Sequence, residues 1–419
     1  MVTSMPLDVP AAPTTSGDEF FRTEGAYTGL GAPIPGGQIE RWILGEGPHI
    51  ENGVELFDEL CWRLVGDGVP LWRATLYMDT LHPLISGLGA RWLREPKVIE
   101  EFRILHGSQS TDEYLQSPIR ATIERGTPFR RRLTEEVPEY PLLSKLRKNG
   151  STDYFALALN RTFRRFPVVT WSTDRPGGFD DADIAALEDI NPALAAIVET
   201  RAVRRISANL LDTYFGPQAG RRILAGQIRR AEGERLRAVI MMTDLRGFTA
   251  LSDRLPGDEV IELLDDYFDA LATPIEKRKG EVLKFIGDGM LAIFPAEDDD
   301  DFSASSVHAL EAATEGLERL DTVNRARVAT GRSELRTGIG LHLGEVIYGN
   351  VGAAGRLDFT VIGPAVNLAS RIEDLTKRLH RPMLFSSAFA RICPRPLVSL
   401  GFQPVRGLNE PEEVFGLPE

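Results

Sequence analysis

The spacing of hydrophobic and polar positions divides the chain into two parts with different patterns. Between about residues 40 and 200, helical stretches are mixed with short β-type runs, namely LWRATLYM at 71–78, TDYFALALN at 152–160 and FPVVTWST at 166–173. From residue 236 onward, strand-like and helix-like segments alternate. Both patterns are typical of mixed domains, so the predicted fold class is α/β in the broad sense that includes α+β.

The first part ends in an amphipathic pattern that follows the turn-forming sequence RPGGF. Apolar residues recur there at a spacing of three or four, at Ile184, Leu187, Ile190, Leu194, Ile197 and Val198. We expect one long helix from Asp180 to about Tyr214, interrupted by Gly216-Pro217. The same spacing continues through Val203, Ile206, Leu210 and Thr213. This continuation is compatible both with a short parallel coiled coil and with a helix packed on its own domain.

The second part predicts a definite order of elements. LRAVIMMT should form a strand, and Thr249 to Lys277 a helix whose buried face carries Ile261, Leu264, Phe268, Leu271 and Ile275. EVLKFI and MLAIFP should form a hairpin around Gly287-Asp288-Gly289. A helix at about 303–329, strands at LRTGIGLHLG, VIYGNVG and LDFTVIG, and a helix from Pro364 follow. This order predicts a ferredoxin-like core with additions.

Length and charge limit the classes of protein to consider. A chain of 419 residues is too long for one ordinary core, and its net charge of -13 opposes binding to nucleic acid or to an anionic membrane. Cys61 and Cys393 form no metal-ligand pattern, and no apolar stretch approaches the length of a membrane span. We expect a cytoplasmic protein in a reducing compartment, with no nucleic-acid and no membrane partner.

Four segments result from these patterns. We predict a flexible N-terminal tail over residues 1–40, a regulatory domain over 41–200, a helical linker over 201–235 and a catalytic domain over 236–419. The tail is rich in Pro, Ser and Thr, which disfavours a packed core.

Six polar positions in the second part suggest chemistry when they are taken together. Asp244 lies in TDLRGFT, Lys284 and Asp288 lie in LKFIGDGML, and FTVIGPAVNLASRIE contains Thr360, Asn367 and Arg371. Each position alone has an ordinary interpretation, because Gly-Asp-Gly is a common turn and polar residues commonly face solvent on helices. Their joint occurrence, in order, favours a nucleotide site.

The two aspartates have the chemistry of a two-metal site. Asp244 closes a strand and Asp288 lies at the tip of a hairpin, so the two carboxylates can hold two divalent cations, Mg²⁺ or Mn²⁺, on a triphosphate. Gly247 permits a close turn, after which Phe248 and Thr249 open a helix. Amides at a helix start bind phosphate oxygens.

The helix after Pro364 carries the remaining two side chains on one face. Asn367 and Arg371 are four residues apart, so both project from the same side of the helix. An Arg there can stabilise charge that builds on the α-phosphate, and an Asn can orient the ribose.

With these motifs the chain resembles the class III adenylate and guanylate cyclases over about 180 of its 419 residues. The resemblance implies that Asp244 and Asp288 bind metal, that Asn367 and Arg371 act in the transition state, and that the substrate is contacted by Lys284, Thr360 and Arg406. A Lys can donate to adenine N1 and a Thr can accept from the N6 amine, whereas guanine inverts both demands, which favours ATP. Thr at position 360 is similar to a subgroup that includes bicarbonate-responsive enzymes, so regulation by inorganic carbon stays open.

The resemblance also implies an assembly. In this family the metal aspartates come from one subunit and the base and transition-state residues from the other, so we expect a homodimer with two complete sites and an inactive monomer. The order of elements in residues 41–200 resembles a GAF-type sensor domain, which implies a small-molecule or protein signal of unknown identity.

Two alternatives to an adenylate cyclase remain open, a guanylate cyclase and a catalytically weak ligand-binding regulator that uses the cyclase fold for dimerisation. A diguanylate cyclase is disfavoured because LKFIGDGML lacks a GGDEF-type turn.

Overall fold

The structure is a computed structural model that describes residues 22–28, 38–134, 140–159, 167–229, 233–296, 299–353, 355–406 and 410–418. For residues 22–28 and 299–301 the backbone alone is described. Most of the predicted tail, residues 1–40, lies outside these ranges. The chain divides into two compact units, Met1–Thr213 and Tyr214–Glu419. The finer division into four segments stays a prediction.

The N-terminal unit contains a mixed set of elements. Its strands are β1 (Arg22–Thr28), β2 (Arg73–Asp79), β3 (Ile85–Leu93), β4 (Val98–Leu105), β5 (Phe129–Arg132), β6 (Asp153–Ala158) and β7 (Val168–Thr173). Its helices are α1 (Ile39–Gly45), α2 (Gly53–Gly66), α3 (Asp112–Leu115), α4 (Pro118–Arg125), α5 (Pro141–Lys148), α6 (Asp181–Asp189) and α7 (Asn191–Phe215).

Among the described residues these strands form a seven-stranded sheet in the order β1-β4-β3-β2-β7-β6-β5. Both faces of the sheet are covered, because successive side chains of a strand point to opposite sides. Trp92 and Trp171 pack with α1, α2, α6 and α7 on one face. Tyr154 and Phe102 pack with α4 and α5 on the other. The predicted α/β character of this part is confirmed, whereas its GAF-type identity stays a prediction.

The long exit helix differs from the prediction at one point. The sequence pattern predicts one helix from Asp180 to about Tyr214, but α6 ends at Asp189 and α7 begins at Asn191. Pro192 explains the break, because proline has no N–H to donate and its ring clashes with the carbonyl of the preceding turn. Beyond this break α7 continues without interruption to Phe215, and Gly216 ends it as predicted.

The C-terminal unit begins with a short helix that the sequence placed in the linker. Its helices are α8 (Pro217–Leu224), α9 (Phe248–Ser252), α10 (Gly257–Lys277), α11 (Asp299–Ala329), α12 (Pro364–Leu379) and α13 (Ser387–Ile392). Its strands are β8 (Gly233–Leu245), β9 (Glu281–Ile286), β10 (Gly289–Ala296), β11 (Thr337–Ala353), β12 (Arg356–Ile362), β13 (Met383–Ser386), β14 (Val398–Gln403) and β15 (Glu412–Gly416).

The sheet of this unit is built around β8. Among the described residues its strand order is β14-β15-β13-β11-β8-β10-β9, and β12 pairs with the far end of β11. Helices α10, α11 and α13 pack on one face of the sheet, and α8 and α12 on the other. A Cβ atom at Gly340 of β11 would lie 2.5 Å from the backbone nitrogen of Glu373, so glycine is what lets α12 lie directly on the sheet.

Several predictions for this unit are confirmed. β9 and β10 form the expected hairpin, α11 covers the predicted helix, and α12 begins at Pro364. Three details are wrong. The predicted helix from Thr249 to Lys277 is divided near Pro256 into α9 and α10, because proline cannot continue the first helix.

The buried face of α10 agrees with its prediction at Leu264, Phe268, Leu271 and Ile275, and is wrong at Ile261. Ile261 is 63% exposed, whereas Leu263 and Tyr267 are fully buried. The strands predicted separately at LRTGIGLHLG and VIYGNVG form the single strand β11, because β8 pairs with it along its length. No helix in the described parts of the chain combines the length and apolar composition that crossing a membrane requires.

Candidate active site

Asp244 and Asp288 lie together at one edge of the C-terminal sheet. Asp244 is the penultimate residue of β8 and is paired across strands with Gly289, the residue that follows Asp288. The backbone N–H of Leu245 donates to the carbonyl of Asp288 over 3.3 Å. Gly287 adopts φ 65°, which the tight turn before Asp288 requires. The pairing of β8 with the hairpin therefore brings two carboxylates, distant in sequence, to the same place.

The charges of these carboxylates influence each other. Burial raises the pKa of Asp288 and the negative charge of Asp244 raises it further, while a backbone hydrogen bond and Lys377 partly oppose both effects. Carboxylates that repel one another favour a divalent cation, and carboxylate oxygens are the ligands that Mg²⁺ prefers. In the described ranges no group of three or more His, Cys, Asp or Glu is arranged so that it could hold a metal ion by itself. The pair therefore fits a cation whose remaining ligands are phosphate and water.

The turn after Asp244 presents backbone amides. Gly247 has φ 73° and precedes α9, whose first N–H groups have no acceptor within the helix. The Phe248 ring packs against the core beneath α10 and α11, whereas Thr249 is exposed. At Phe248 it is therefore the backbone, and not the ring, that can contact a phosphate.

Lys284 and Thr360 lie on β9 and β12, two strands that contact each other without pairing among the described residues of the sheet. Lys284 on β9 forms a hydrogen-bonded ion pair with Asp358 on β12, and this bond lowers the pKa of Asp358. Thr360 is two residues beyond Asp358 and so faces the same side of β12. The structure thus brings the two predicted base readers to one surface, with Asp358 as a partner that the sequence analysis did not identify.

Asn367 and Arg371 lie on the outer face of α12. Ala365 and Ala369 of the same helix are buried against the sheet, whereas Asn367 is exposed and the Arg371 side chain is 40% exposed. In the part of the chain that the structure describes, no hydrogen bond or ion pair joins Asn367 or Arg371 to either aspartate. A single subunit therefore brings together the two aspartates, and separately the two base readers, but not the transition-state pair and the aspartates.

Arg406 occupies a different setting from the one predicted. It is an exposed turn residue after β14 and not part of a final strand, and residues 407–409 lie outside the described ranges. Its role as a triphosphate contact stays a prediction.

Three charged residues near Asp244 were missed by the sequence analysis. Lys377 on α12 places its Nζ 3.1 Å from Asp244 Oδ2. Arg246 lies 3.1 Å from Glu373 on the same helix. Glu373 and Lys377 are four residues apart, which is a visible helical signal, but only the packing of α12 on β11 shows that they meet the end of β8.

Burial dominates the titration of Glu373. It raises the pKa of this carboxyl to about 7, with Asp244 and Asp374 adding to the effect and Arg246 and Lys377 opposing it. The base of the site therefore contains a carboxyl group that titrates near neutrality.

The sequence of the chain is similar to those of known nucleotide cyclases. Residues 233–380 match the family profile described as Adenylate and Guanylate cyclase catalytic domain. Over 227 residues the chain is 34% identical to an adenylate cyclase from Anabaena cylindrica, a match that covers 51% of this chain and 44% of that protein. Over 225 residues it is 30% identical to adenylate cyclase 1 from Rhizobium meliloti (strain 1021), covering 53% of this chain and 34% of that protein. The chain thus spans less than half the length of these two curated relatives.

Among solved structures, the adenylyl cyclase CyaB from P. aeruginosa is 25% identical, with a TM-score of 0.41, and the match covers 45% of this chain and 96% of that one. The profile match supports the predicted cyclase catalytic domain over residues 233–380, and the predicted domain boundaries stay a prediction. The assignment to the Lys/Thr subgroup stays a prediction.

Proposed function

We propose that the chain is an adenylate cyclase that converts ATP to 3′,5′-cyclic AMP and pyrophosphate. The observation that carries this proposal is the meeting of Asp244 and Asp288 at one sheet edge, inside the region that matches the cyclase catalytic domain. Two adjacent carboxylates at an accessible sheet edge suit a metal-bound triphosphate. The relatives named adenylate cyclase support the same reaction class.

The aspartates and the residues of α12 have separate roles in cyclisation. Divalent cations, Mg²⁺ or Mn²⁺, when held by Asp244 and Asp288, supply positive charge against the triphosphate and acidify the ribose 3′-hydroxyl. The 3′-hydroxyl gives its proton to solvent water, its oxygen bonds to the α-phosphorus, the bond from that phosphorus to the β-phosphate oxygen breaks, and pyrophosphate leaves. Arg371 stabilises the charge on the α-phosphate and Asn367 orients the ribose.

The choice of purine follows from the donors and acceptors at Lys284 and Thr360. An ammonium can only donate, which suits the N1 acceptor of adenine and not the N1–H of guanine. The Thr360 hydroxyl accepts from the adenine N6 amine. Asp358 orients the Lys284 side chain through its ion pair, and the selection of ATP over GTP rests on this oriented side chain.

A homodimer completes the site. Asn367 and Arg371 face outward from α12, and exposed apolar side chains flank the base readers, with Phe285 52%, Ile286 51% and Ile362 43% exposed. Apolar groups of this kind beside polar site residues suit a protein interface. In a two-fold symmetric pair, each subunit would offer its aspartates to one site and its α12 face to the other.

The N-terminal unit is assigned a regulatory role in this proposal. It contains a cavity of about 560 Å³ lined in part by Leu157, Pro192 and Ala195. Asn191 also lines the cavity, and its buried Oδ1 has no hydrogen-bond partner among the described residues. A cavity with one unsatisfied acceptor and apolar walls suits a small ligand that carries a donor group.

Turnover of ATP and GTP by the purified chain tests the proposed activity. We expect cyclic AMP from ATP in the presence of Mn²⁺ or Mg²⁺, and much slower formation of cyclic GMP. The Asp244→Asn variant is the control for contaminating cyclases and should be inactive. Equal or faster turnover of GTP would overturn the roles of Lys284 and Thr360, and absence of either product would overturn the activity itself.

A further inference from the structure

A basic cleft opens beside the carboxylate pair in the C-terminal unit. It has a volume of about 1170 Å³ and lies between α11, the start of β11 and the end of α12. Of the described residues that line it, three are acidic, and five are Arg or Lys, namely Arg246, Arg325, Arg336, Lys377 and Arg381. In a chain with a net charge of -13, this local excess of positive charge marks the cleft as a site for an anion.

Arg246 is short of hydrogen-bond acceptors at the base of the cleft. Its Nη2 lies 3.1 Å from Glu373 Oε1, yet neither Nη1 nor Nη2 has an acceptor in hydrogen-bonding geometry among the described residues. Buried guanidinium groups normally satisfy their donors, and bidentate oxyanions such as phosphate suit the fork of an Arg particularly well. The terminal nitrogens of Arg246 can therefore donate hydrogen bonds to an oxyanion that is attracted by the positive charge of the cleft.

Lys377 links this cleft to the carboxylate pair. It lines the cleft, and its ammonium lies 3.1 Å from Asp244 Oδ2. A cation bound to Asp244 would compete with this ammonium for the carboxylate. The side chain of Lys377, which is 55% exposed, would then be free to turn toward an anion in the cleft.

We propose that the cleft binds a diphosphate group and that it receives the pyrophosphate leaving group of the cyclase reaction. This inference rests on the function proposed above, because that reaction is what would release pyrophosphate beside Lys377. The same chemistry is present in the polyphosphate tail of a free nucleotide. The test must therefore separate pyrophosphate from ATP as the natural occupant.

Calorimetric titration of the full chain with inorganic pyrophosphate, in the presence of EDTA, isolates the cleft from the metal-dependent site. The test variant is Arg325→Gln with Arg336→Gln, and the matched control is Arg235→Gln with Arg332→Gln. The control removes the same charge from two arginines that pair with Glu345 and Glu262 and are not among the described lining residues. We expect the dissociation constant for pyrophosphate to rise about tenfold in the test variant and to change less than about twofold in the control.

The arginines chosen for the test are peripheral to the core. The side chain of Arg336 is 78% exposed, so Arg336→Gln alone serves if circular dichroism shows that the double variant is unfolded. Wild-type protein that binds no pyrophosphate in EDTA, or a test variant that binds it as tightly as the control, would overturn the proposal.

Two further arms identify the occupant. Titration with ATP in EDTA should give binding no tighter than that of pyrophosphate, because the diphosphate group is what the cleft recognises. Binding of ATP without binding of pyrophosphate would instead indicate a nucleotide effector site. Binding of an oligoglutamate peptide without pyrophosphate would indicate an acidic protein partner. Either of these results would overturn the proposal.

Product inhibition connects the cleft to turnover. During ATP turnover, added pyrophosphate should inhibit the test variant about tenfold more weakly than the control variant. A chain that turns over no nucleotide yet binds pyrophosphate through Arg325 and Arg336 would contradict the proposed function alone. Normal turnover without pyrophosphate binding in EDTA would contradict the cleft alone.

Discussion

Aspartates in the two units of this chain differ in the source of their hydrogen-bond donors. In the N-terminal unit, Asp153 is fully buried, and its Oδ2 accepts from Arg130 Nη2 over 2.8 Å and from the N–H of Phe179 over 3.2 Å. In the C-terminal unit, burial and the charge of Asp244 raise the pKa of Asp288, a backbone hydrogen bond and Lys377 oppose this, and the lysine that donates to Asp244 is exposed. Asp153 therefore has its hydrogen-bond donors inside the protein, whereas Asp244 and Asp288 are suited to a bound cation.

This difference teaches how a structural acid is told from a functional one when both lie at strand ends. A buried carboxylate whose oxygens are saturated by internal donors stabilises the fold and has no capacity for a ligand. Asp244 and Asp288 are compensated less fully, because the charge of Asp244 adds to the effect of burial on Asp288 and the lysine that donates to Asp244 is exposed, so a bound cation would relieve their repulsion. Such under-compensation is a physical mark of the site that does not depend on any motif.

The largest expected effect comes from replacing Asp288 of the C-terminal unit or Asp153 of the N-terminal unit with asparagine. Asp288→Asn should lower cyclic AMP formation about 10³-fold, because it removes a proposed metal ligand, and should leave the free energy of unfolding unchanged or slightly higher. Asp153→Asn should lower the free energy of unfolding by about 3 kcal/mol, because Arg130 would lose its charged partner. Cyclase rates per folded molecule and urea unfolding measure the two effects.

Each variant serves as the control for the other. If Asp153→Asn abolished turnover without loss of stability, or if Asp288→Asn destabilised the protein strongly, the division into structural and functional acids would be wrong.

A smaller effect is expected at the base readers. Lys284→Glu should lower kcat/KM for ATP about 10²-fold and shift selectivity toward GTP, because a carboxylate accepts from the N1–H of guanine. Lys277→Glu at the end of α10 makes the same charge change on an exposed residue and should leave the ATP to GTP ratio unaltered. Steady-state kinetics with both nucleotides decide the matter, and an unaltered ratio in the Lys284 variant would remove this residue from recognition.

Glu373 should make the free energy of unfolding depend on pH. Its pKa is about 7 in the folded protein and near 4.5 in an unfolded chain, so between these values the folded state holds more protons. The stability contribution is therefore fully present below about pH 4.5 and is lost as the pH rises through about 7. Relative to Glu373→Gln, the wild type should lose about 1–3 kcal/mol of unfolding free energy between pH 5 and pH 8.

Urea unfolding at the two pH values measures this loss. Asp374→Asn, which changes an exposed neighbour, should show no comparable pH dependence relative to the wild type. A difference between the wild type and Glu373→Gln that does not vary with pH would mean that Glu373 is ionised throughout.

The smallest expected effect concerns the connection between the units. α7 is continuous from Asn191 to Phe215, and the N–H of Ala219 in the following helix donates to Glu281 on β9, the strand that carries Lys284. Inserting two residues after Ala208 rotates the downstream helix by about 200°, whereas inserting seven nearly restores its phase. We expect the first insertion to change basal cyclase activity severalfold and the second to change it less.

Deletion of residues 1–200 complements the insertions. The truncated chain should fold and should have altered basal activity. Unchanged rates in both insertion variants would make the linker a passive tether.

The sequence predicts the secondary structure around the site correctly where characteristic residues and local periodicity coincide. Asp244, Lys284 and Asp288 were placed on a strand and a hairpin that the structure confirms, because alternating apolar residues and a Gly-Asp-Gly turn define those elements. Local pattern failed at Ile261, where helical spacing does not reveal which side of α10 faces the core. The pairs Lys284 with Asp358 and Asp244 with Lys377 join residues far apart in sequence, so only strand order and helix packing reveal them.

The central claim is that aspartates of one subunit and the α12 face of another act on the same nucleotide. Mixing Asp244→Ala and Arg371→Ala proteins, each inactive alone, tests it most directly by measuring cyclic AMP formation. Random pairing should restore about a quarter of wild-type activity, because half of the dimers are mixed and each mixed dimer has one intact site. A mixture that stays inactive, although native mass spectrometry shows that mixed dimers have formed, would contradict the account.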